Sequence, residues 1–295
     1  MIGLNKILEI TNLCKNYKDF SIKNVNFSLE RGYIMGFIGP NGAGKSTIIK
    51  LIMNLIKRDS GNINIFGLDN KKNEIAVKER IGFVYDENHF YEDLTVQEMK
   101  NIIRPFYSQW DENLFKRYVK DFGLPSKKQI KHLSKGMKMK FSLAIALSHN
   151  AELLLMDEPT SGLDPLIRSE LLDVLQSLMQ DENKSVFFST HITSDLDKIA
   201  DYITLVNNGE VILSKTKEEL LEEYCVVKGS KDKLDSNIAN RFIGIKENQY
   251  GFEALSQNKD EILQYLGDSV IIEKPTLEDI MVFSTRRSDQ HVSSY

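Results

Sequence analysis

Residues 39–46 form a segment that could hold a phosphate group. Their sequence, Gly-Pro-Asn-Gly-Ala-Gly-Lys-Ser, matches the pattern G-x-x-x-x-G-K-[ST] at every fixed position. Glycines let backbone N–H groups turn inward around a phosphate, the Lys45 ammonium can reach the β and γ phosphates, and the Ser46 hydroxyl can ligate Mg²⁺. The segment therefore predicts a site for ATP with Mg²⁺. The predicted ATP-binding residues are Gly39, Pro40, Asn41, Gly42, Ala43, Gly44, Lys45, Ser46 and Thr47.

Two carboxylates follow an apolar run farther along the chain. Residues 153–156 are Leu-Leu-Leu-Met, and Asp157 and Glu158 come directly after them. A buried strand that ends in acids is costly unless the acids meet a cation or a reacting water. Beside a phosphate-binding loop, we expect Asp157 to hold Mg²⁺ and Glu158 to orient or deprotonate the attacking water. A plain strand end with solvated acids is the alternative.

A histidine follows a third apolar run, residues 186–190. The carboxyl ends of parallel strands meet at one edge of an α/β sheet, where ligands bind. Gly39, Asp157 and His191 are therefore expected at the same edge, with His191 contacting the γ-phosphate or the attacking water. A single histidine is more often an ordinary surface or core residue, so this prediction for His191 depends on its place at the end of the strand. The other histidines, which form no recognisable metal-binding set with it, are His89, His132, His149 and His291.

Short strand patterns that alternate with helical patterns must position these residues, and they predict an α/β fold with a mainly parallel sheet. The segment 33–38 is almost continuously apolar, as a strand buried on both faces is, and a helix is expected over about 45–56. Asn208-Gly209 predicts a hairpin turn into 210–213. The other predicted strands are 7–13, 22–29, 62–66, 81–85, 153–157, 186–190 and 203–206.

Two further regions depart from a compact α/β core. Residues of about 93–148 have helical periodicity and predict an inserted helical subdomain. Beyond residue 223 the pattern changes again, which predicts a small C-terminal α+β appendage over 224–295. Its expected strands are 226–227, 242–245 and 270–272, and its expected helices are 259–266 and 276–283.

Composition narrows the classes of partner. The 295 residues include 38 basic and 42 acidic side chains, a net charge of −4, which disfavours nucleic acid as a partner. The two cysteines, Cys14 and Cys225, have no metal-ligand spacing and are expected to be free thiols in a reducing compartment. No apolar run approaches the roughly 20 residues of a membrane helix, and no signal peptide is visible.

In order along the chain, the motifs resemble those of ATP-binding cassette (ABC) ATPases, over roughly residues 7–224. Leu133-Ser134-Lys135-Gly136-Met137 resembles the family signature L-S-G-G-Q, and Ser134 suits the N-cap of a helix. The resemblance makes Glu158 the catalytic glutamate, His191 the switch histidine and Tyr17 the residue that stacks on adenine. A tyrosine packed in the core is the alternative for Tyr17. The residues that resemble the D-loop are Ser161, Gly162, Leu163 and Asp164.

The signature and the Q-loop depart from the family pattern. Lys135 and Met137 replace a Gly and the Gln of the signature. Lys135 forms a lysine cluster with Lys131, Lys138 and Lys140, whose default interpretation is a solvated face. If Lys135 faces an opposing nucleotide, its positive charge would favour phosphate binding. Asp86 stands where the Q-loop has Gln. Asp86 could offer an oxygen to Mg²⁺ but adds negative charge beside phosphates.

The resemblance implies a P-loop NTPase core (residues 1–223) with an N-terminal antiparallel β-subdomain. It further implies that two such domains pair head to tail, so that the phosphate loop of one faces Ser134 and Gly136 of the other. The second subunit can be identical or related. A separate transmembrane permease would hold the pair on the cytoplasmic face of the cell membrane, where ATP hydrolysis would drive transport.

The direction of that transport is expected to be export of the antibiotic or multidrug type. Two other functions remain open. A soluble ABC ATPase of translation or DNA repair usually carries two cassettes or a long coiled-coil insertion, and neither is evident. A nucleotide-binding regulator with little turnover is suggested by Asp86 and the unusual signature.

Overall fold

The computed structural model describes residues 6–85 and 89–292, except for the side chains of residues 268 and 286–292. The strands are β1 (Lys6–Asn16), β2 (Ser21–Glu30), β3 (Ile34–Ile38), β4 (Ser60–Ile65), β5 (Leu68–Asp69), β6 (Ile81–Val84), β7 (Leu153–Asp157), β8 (Ser185–Thr190), β9 (Tyr202–Asn207), β10 (Glu210–Thr216), β11 (Cys225–Gly229), β12 (Gly244–Glu247), β13 (Phe252–Ser256) and β14 (Val270–Glu273). The helices are α1 (Lys45–Ile52), α2 (Glu74–Lys78), α3 (Val96–Ile103), α4 (Glu112–Asp121), α5 (Lys135–Ser148), α6 (Pro165–Leu178), α7 (Thr193–Ile199), α8 (Lys217–Glu223), α9 (Ser236–Ala239), α10 (Lys259–Leu266) and α11 (Leu277–Val292). None of the described helices is long and apolar enough to cross a bilayer.

The central sheet has the strand order β10-β9-β3-β8-β7-β6. All of its neighbours pair in parallel except the β9–β10 hairpin, which turns at Asn208-Gly209 as predicted. Every residue of β3, β7 and β8 is buried, which agrees with their continuous apolar patterns. Because β8 lies between β3 and β7, the segments that follow these three strands are neighbours at one sheet edge.

A second sheet, of order β2-β1-β4-β5, is antiparallel and confirms the expected N-terminal β-subdomain. Its apolar face and the central sheet enclose one core, to which α1 contributes Ile48, Ile49 and Ile52. The helix that follows the phosphate loop is thus held between two sheets.

The predicted end of α1 at residue 56 was wrong, because the helix stops at Ile52. Asn54 has a left-handed backbone with φ of 52°. The N–H of Asn54 donates to the Leu51 carbonyl at 3.1 Å, and the N–H of Leu55 donates to the Lys50 carbonyl at 2.9 Å. This is a Schellman termination, and asparagine accepts the left-handed conformation more readily than other non-glycine residues.

Helices α3, α4 and α5 occupy the region predicted to be helical. They enclose a small core of their own around Phe115 and Phe141, both fully buried. The α3 helix begins with a capping box between Thr95 and Glu98. One end of α5 carries the signature-like residues, so this core fixes their orientation.

The C-terminal region is α+β, as predicted, with an antiparallel sheet of order β12-β13-β11-β14. The strand predicted at 242–245 was displaced, since β12 begins at Gly244 while Phe242 is a buried core residue. The strand β13 was missed, and the helix predicted to end at 283 extends to Val292. Through Leu277, Ile280 and Phe283, α11 joins the main core beside Leu196 and Ile199 of α7.

A three-residue ion network ties the starts of several central strands together. Glu152, just before β7, accepts from Arg80 through Nε at 2.5 Å and Nη2 at 2.9 Å, and from Nη1 of Arg31 at 2.7 Å. The Arg80 guanidinium also lies 3.9 Å from the ring centroid of Phe66. The hydrogen bonds from Arg80, and then those from Arg31, hold the pKa of Glu152 below its ordinary value, although burial opposes them.

We expect Glu152→Gln to lower the free energy of unfolding by about 1–3 kcal/mol at neutral pH, because charge-assisted hydrogen bonds are lost. A depressed carboxyl pKa adds stability that is fully present above the unfolded pKa, near 4.5, and disappears as pH falls through the folded value. Urea unfolding of both proteins across pH should therefore show a difference above pH 4.5 that closes in more acidic solution. A constant difference at all pH values would contradict this account.

Candidate functional site

The phosphate loop connects the end of β3 to α1, as the sequence predicts. A Cβ atom on Gly39 would lie 2.2 Å from the Val206 carbonyl oxygen, so the loop approaches β9 more closely than any side chain allows. Gly44, the residue before α1, has a φ of 106°, which strongly favours glycine. The motif glycines therefore permit both the close packing and the turn into the helix.

Lys45 is 7% exposed, and its ammonium group contacts the carbonyl groups at the start of the loop. Its Nζ donates to the Gly39 carbonyl at 2.8 Å and lies 3.3 Å from the Pro40 carbonyl oxygen. The same nitrogen is 3.4 Å from Oε1 of Glu158. The lysine thus links the phosphate loop to the acidic end of β7.

Glu158 and His191 meet at this edge of the sheet. Oε2 of Glu158 accepts from Nδ1 of His191 at 2.8 Å and from its backbone N–H at 3.3 Å. Glu158 has a left-handed φ of 48°, and its own N–H donates to the Ser189 carbonyl at 2.9 Å. This backbone conformation is unusual outside glycine and asparagine, and it points the carboxylate toward Lys45 and His191.

Asp157 is buried, and its Oδ1 has no hydrogen-bond partner among the described residues. Burial raises the pKa of Asp157, and the nearby Glu158 charge adds to this, while the Ser46 and Ser189 hydroxyls offset only part of the increase. A buried, unpaired carboxylate oxygen near a serine hydroxyl fits a hydrated Mg²⁺. Within the described ranges, no set of three His, Cys, Asp or Glu side chains could enclose a metal, so phosphates and water would complete the shell.

A cavity of about 400 Å³, a volume within the range of small-ligand sites, lies beside Lys45, Glu158 and His191, whereas Asp157 is not among its lining residues. Its lining residues are Phe20, Asn41, Gly42, Ala43, Gly44, Lys45, Ser46, Thr47, Glu158, Ser161 and His191. The structure therefore brings the phosphate loop, Glu158 and His191 to one opening. Phe20 was not predicted from the sequence as a site residue. Its aromatic side chain, three positions after Tyr17, was the signal that could have identified it.

Tyr17 lies in the turn after β1 and is 46% exposed, which contradicts the alternative of a core tyrosine. Its N–H donates to the Phe20 carbonyl at 2.8 Å, and the Lys15 ammonium is 5.6 Å from its ring centroid. Tyr17 and Phe20 line a shallow surface pocket next to the phosphate cavity. An exposed aromatic ring here is available for stacking on a base.

The signature-like residues are not among those that line the phosphate cavity of the same chain. Ser134 caps α5 as predicted, with its hydroxyl accepting from the Met137 N–H at 3.2 Å. A Cβ on Gly136 would lie 2.9 Å from Cγ2 of Ile167, so glycine allows α5 to approach α6. Other lysines of this cluster are paired with acids: Lys131 with Asp93, Lys138 with Glu92, and Lys140 with Glu170.

The D-loop-like segment crosses from β7 to α6. Ser161 lines the phosphate cavity, whereas Asp164 caps α6 by accepting from the N–H groups of Leu166 and Ile167, both at 3.1 Å. Leu163 packs against the main core. Lys135 lies beside Gly162, its Nζ 3.4 Å from the position that a Cβ of Gly162 would take. Asp86, the Q-loop position, lies outside the described residues.

The chain is similar in sequence to known proteins. The model of the family described as ABC transporter matches residues 22–161. The chain is 30% identical over 301 residues to the bacitracin transport ATP-binding protein BcrA of Bacillus licheniformis, covering 99% of this chain and 96% of that protein. It is 33% identical over 221 residues to the lantibiotic transport ATP-binding protein SrtF of Streptococcus pyogenes, covering 74% and 95%.

Solved structures agree with the sequence comparison. An ATP-binding subunit of an ABC transporter has a TM-score of 0.67 and 28% identity, covering 73% of this chain and 92% of that one. The cbiO1 protein of Clostridium perfringens, part of the cbiONQ transporter complex, has a TM-score of 0.64 and 25% identity, covering 74% and 92%. The phosphate loop, the sheet order and these likenesses agree: the chain belongs to the ABC transporter family, as one of its ATP-binding proteins.

Proposed function

We propose that the chain hydrolyses ATP and powers export through a separate membrane permease. The convergence of Lys45, Glu158 and His191 on the cavity of the phosphate loop carries this proposal. The main-chain amides of the loop and the Lys45 ammonium would bind the β and γ phosphates. Glu158 would accept a proton from the attacking water while His191 keeps the carboxylate oriented, and a positioned base of this kind contributes about 10²–10⁴-fold in rate.

Steady-state release of phosphate by the purified protein with ATP and magnesium tests this function. Turnover that depends on the cavity residues would support it. A protein that binds ATP but releases no phosphate would instead favour a nucleotide-binding regulator.

We assign Mg²⁺ to Ser46 and Asp157, with Asp86 a further candidate from the sequence. When bound, the ion would neutralise charge on the β and γ phosphates. Asp157 can serve because its carboxyl group is buried near the Ser46 hydroxyl and keeps one oxygen without a hydrogen-bond partner among the described residues. The energetic cost of burying this carboxylate would fall beside a cation.

Asp157→Asn should therefore reduce ATP turnover by at least about 100-fold, because Asn brings no charge to the ion. A partial recovery at high magnesium concentration is expected, since weaker binding is offset by mass action. Phosphate release measured against magnesium concentration checks this. Wild-type magnesium dependence in the variant would contradict the assignment.

Catalysis is proposed to need a second nucleotide-binding subunit, identical or related. Ser134, Lys135, Gly136 and Met137 lie outside the phosphate cavity of their own chain, whereas Ser161 reaches it. In a head-to-tail pair the signature of one copy would cover the phosphates of the other, with Tyr17 stacking on adenine. ATP would favour the closed pair, and its hydrolysis would release it.

The chain is proposed to comprise an ATPase domain, residues 1–223 with a helical insert at about 93–148, and an accessory domain, residues 224–295. The accessory domain has its own core around Val227 and Phe252. Its helix α11 packs on α7, the helix that follows His191. This contact would place the accessory domain one helix away from the reacting groups.

A groove next to the helical region is our candidate contact for the permease. It lies between α2 and the turn at Arg104–Phe106, and Ile75 and Phe106 on it are 80% and 73% exposed. Tyr107, at its wall, stacks on His149 with ring centroids 3.8 Å apart. His149 is the C-cap residue of α5, and the signature lies at the other end of that helix. An occupant of this groove would therefore contact Tyr107, which packs on the end of the helix that carries the signature.

Ile75→Asp and Phe106→Ala should remove co-purification of the permease while the isolated protein keeps its basal turnover within about twofold, because exposed substitutions seldom affect folding. Affinity purification from membranes that contain both proteins measures the first effect, and phosphate release the second. Tyr250→Ala is a matched control, since Tyr250 is 84% exposed on the accessory domain. If co-purification of the permease is lost in Tyr250→Ala and kept in the two groove variants, the groove is not the permease contact.

Export of a peptide antibiotic is the proposed role, and the cell membrane's cytoplasmic face the proposed location. The likeness to the bacitracin transport protein extends through the accessory domain, since it covers 99% of this chain. Cells that produce the chain with its permease should tolerate more of such an antibiotic than cells with an inactive Lys45 variant. Equal sensitivity of both strains would argue against this role.

A further inference from the structure

An ion pair outside the proposed catalytic set joins the helices that follow the D-loop and His191. Nε of Arg168 donates to Oδ1 of Asp195 at 2.5 Å, and its Nη2 donates to the Ser194 hydroxyl at 2.9 Å. Arg168 lies in the first turn of α6, and Asp195 in the first turn of α7. The two bonds therefore fix α7 to the start of α6.

The burial of the acidic partner of this pair is expensive for a purely stabilising contact, although the Arg168 side chain is 28% exposed. Asp195 is 1% exposed, and its Oδ2 has no hydrogen-bond partner among the described residues. Buried ion pairs often contribute little net stability, because removing the charges from water costs as much as their attraction returns. A guanidinium group that donates from two nitrogens does, however, fix the orientation of the groups it joins.

The position of α7 bears directly on the cavity. This helix begins two residues after His191, and its N-cap residue, Ile192, supplies no side-chain cap. The imidazole itself is 43% exposed and is held by Glu158. The orientation of His191 therefore depends on how α7 is anchored, and Arg168 anchors it on the side of the D-loop.

We propose that Arg168 and Asp195 are positioning residues for ATP hydrolysis. The pair keeps His191 aligned on Glu158 and makes that alignment follow any movement of the D-loop, because Arg168 lies four residues after Asp164. A second subunit that docks on the D-loop thereby acts on the His191–Glu158 contact. This inference rests on the proposed function, since it concerns the rate of the same reaction.

The test compares Arg168→Gln, Asp195→Asn and Arg168→Lys in the full-length protein. We expect Arg168→Gln and Asp195→Asn to lower kcat by about tenfold or more with KM for ATP within about twofold, since small misplacements of reacting groups cost rate rather than binding. Arg168→Lys should recover part of kcat, because it keeps the charge but loses the fork. In a Glu158→Gln background, ATP-dependent dimers should form as readily with Arg168→Gln as without it.

All rates are taken well below the unfolding midpoint of each variant, so that loss of folded protein does not enter. Glu170→Gln is the matched control, because Glu170 is also on α6 but pairs with Lys140 of α5, and its kcat should stay within about twofold of wild type. If the wild-type protein shows no turnover, the proposed function is wrong, and this result is distinct from a failure of the role proposed for Arg168 and Asp195. Active wild type with unchanged kcat in both neutral variants would overturn the inference. So would kcat and KM that worsen together in proportion to lost stability.

Discussion

Glu158→Gln should bind ATP normally and release phosphate about 10²- to 10⁴-fold more slowly than the wild type. The carboxylate lies between the Lys45 ammonium at 3.4 Å and His191 Nδ1 at 2.8 Å, and it is the acid in the cavity placed to accept a proton. An amide of the same shape cannot take that proton, and a positioned general base contributes a rate factor of this size. The phosphate loop is untouched, so ATP affinity should stay within about threefold of wild type.

Trapped ATP should also change the oligomeric state. If hydrolysis opens the pair, a variant that binds without hydrolysis will accumulate as an ATP-bound dimer. Size-exclusion chromatography with ATP and magnesium measures the oligomeric state, phosphate release measures turnover, and calorimetry measures ATP affinity. Glu170→Gln provides the matched carboxylate-to-amide control. Full activity in Glu158→Gln would remove Glu158 from the mechanism.

Lys45→Ala should weaken ATP binding by about 10²–10⁴-fold. Charge-assisted hydrogen bonds contribute about 1.5–3 kcal/mol each, and the ammonium is expected to reach two phosphate groups. Lys45 is nearly buried in the phosphate loop, where water screens its charge less than at the surface. Turnover should fall with binding, because the γ-phosphate would lose the cation that positions it.

Lys50→Ala is the control for Lys45, because Lys50 lies on the same helix with an exposed side chain. Isothermal calorimetry with ATP and magnesium should give wild-type heats for Lys50→Ala and greatly reduced heats for Lys45→Ala. The unfolding midpoint of each variant shows whether the loop remains folded. Equal affinity in both variants would exclude the proposed phosphate contact.

The two substitutions also test whether the site works as a unit. Glu158 has charged or hydrogen-bonding neighbours on both sides, so removal of Lys45 takes away one restraint on its carboxylate. Groups that act together show non-additive effects. The double variant, Lys45→Ala with Glu158→Gln, should therefore be hardly slower than Lys45→Ala alone. A general base adds little to the rate of a site that binds ATP poorly.

Local pattern was sufficient for much of the site. The spacing from Gly39 to Ser46, the acids that end β7 and the histidine that ends β8 depend on residues adjacent in sequence. The Ser134 cap and the hairpin at Asn208-Gly209 are also short-range features, and the structure contains both. The prediction of where α1 ends failed because the sequence pattern around Asn54 is compatible with both a continuing helix and a left-handed cap.

By itself, the sequence determined which side chains could bind phosphate, hold a metal ion and accept a proton. The tertiary structure decided that they meet: β8 is inserted between β3 and β7, which brings His191 beside Glu158 and Lys45. It also decided the contact of Arg168 with Asp195 and the packing of α11 on α7. Strand order and helix docking depend on how apolar faces pack over long sequence separations, and periodicity records that a face is apolar without recording what covers it.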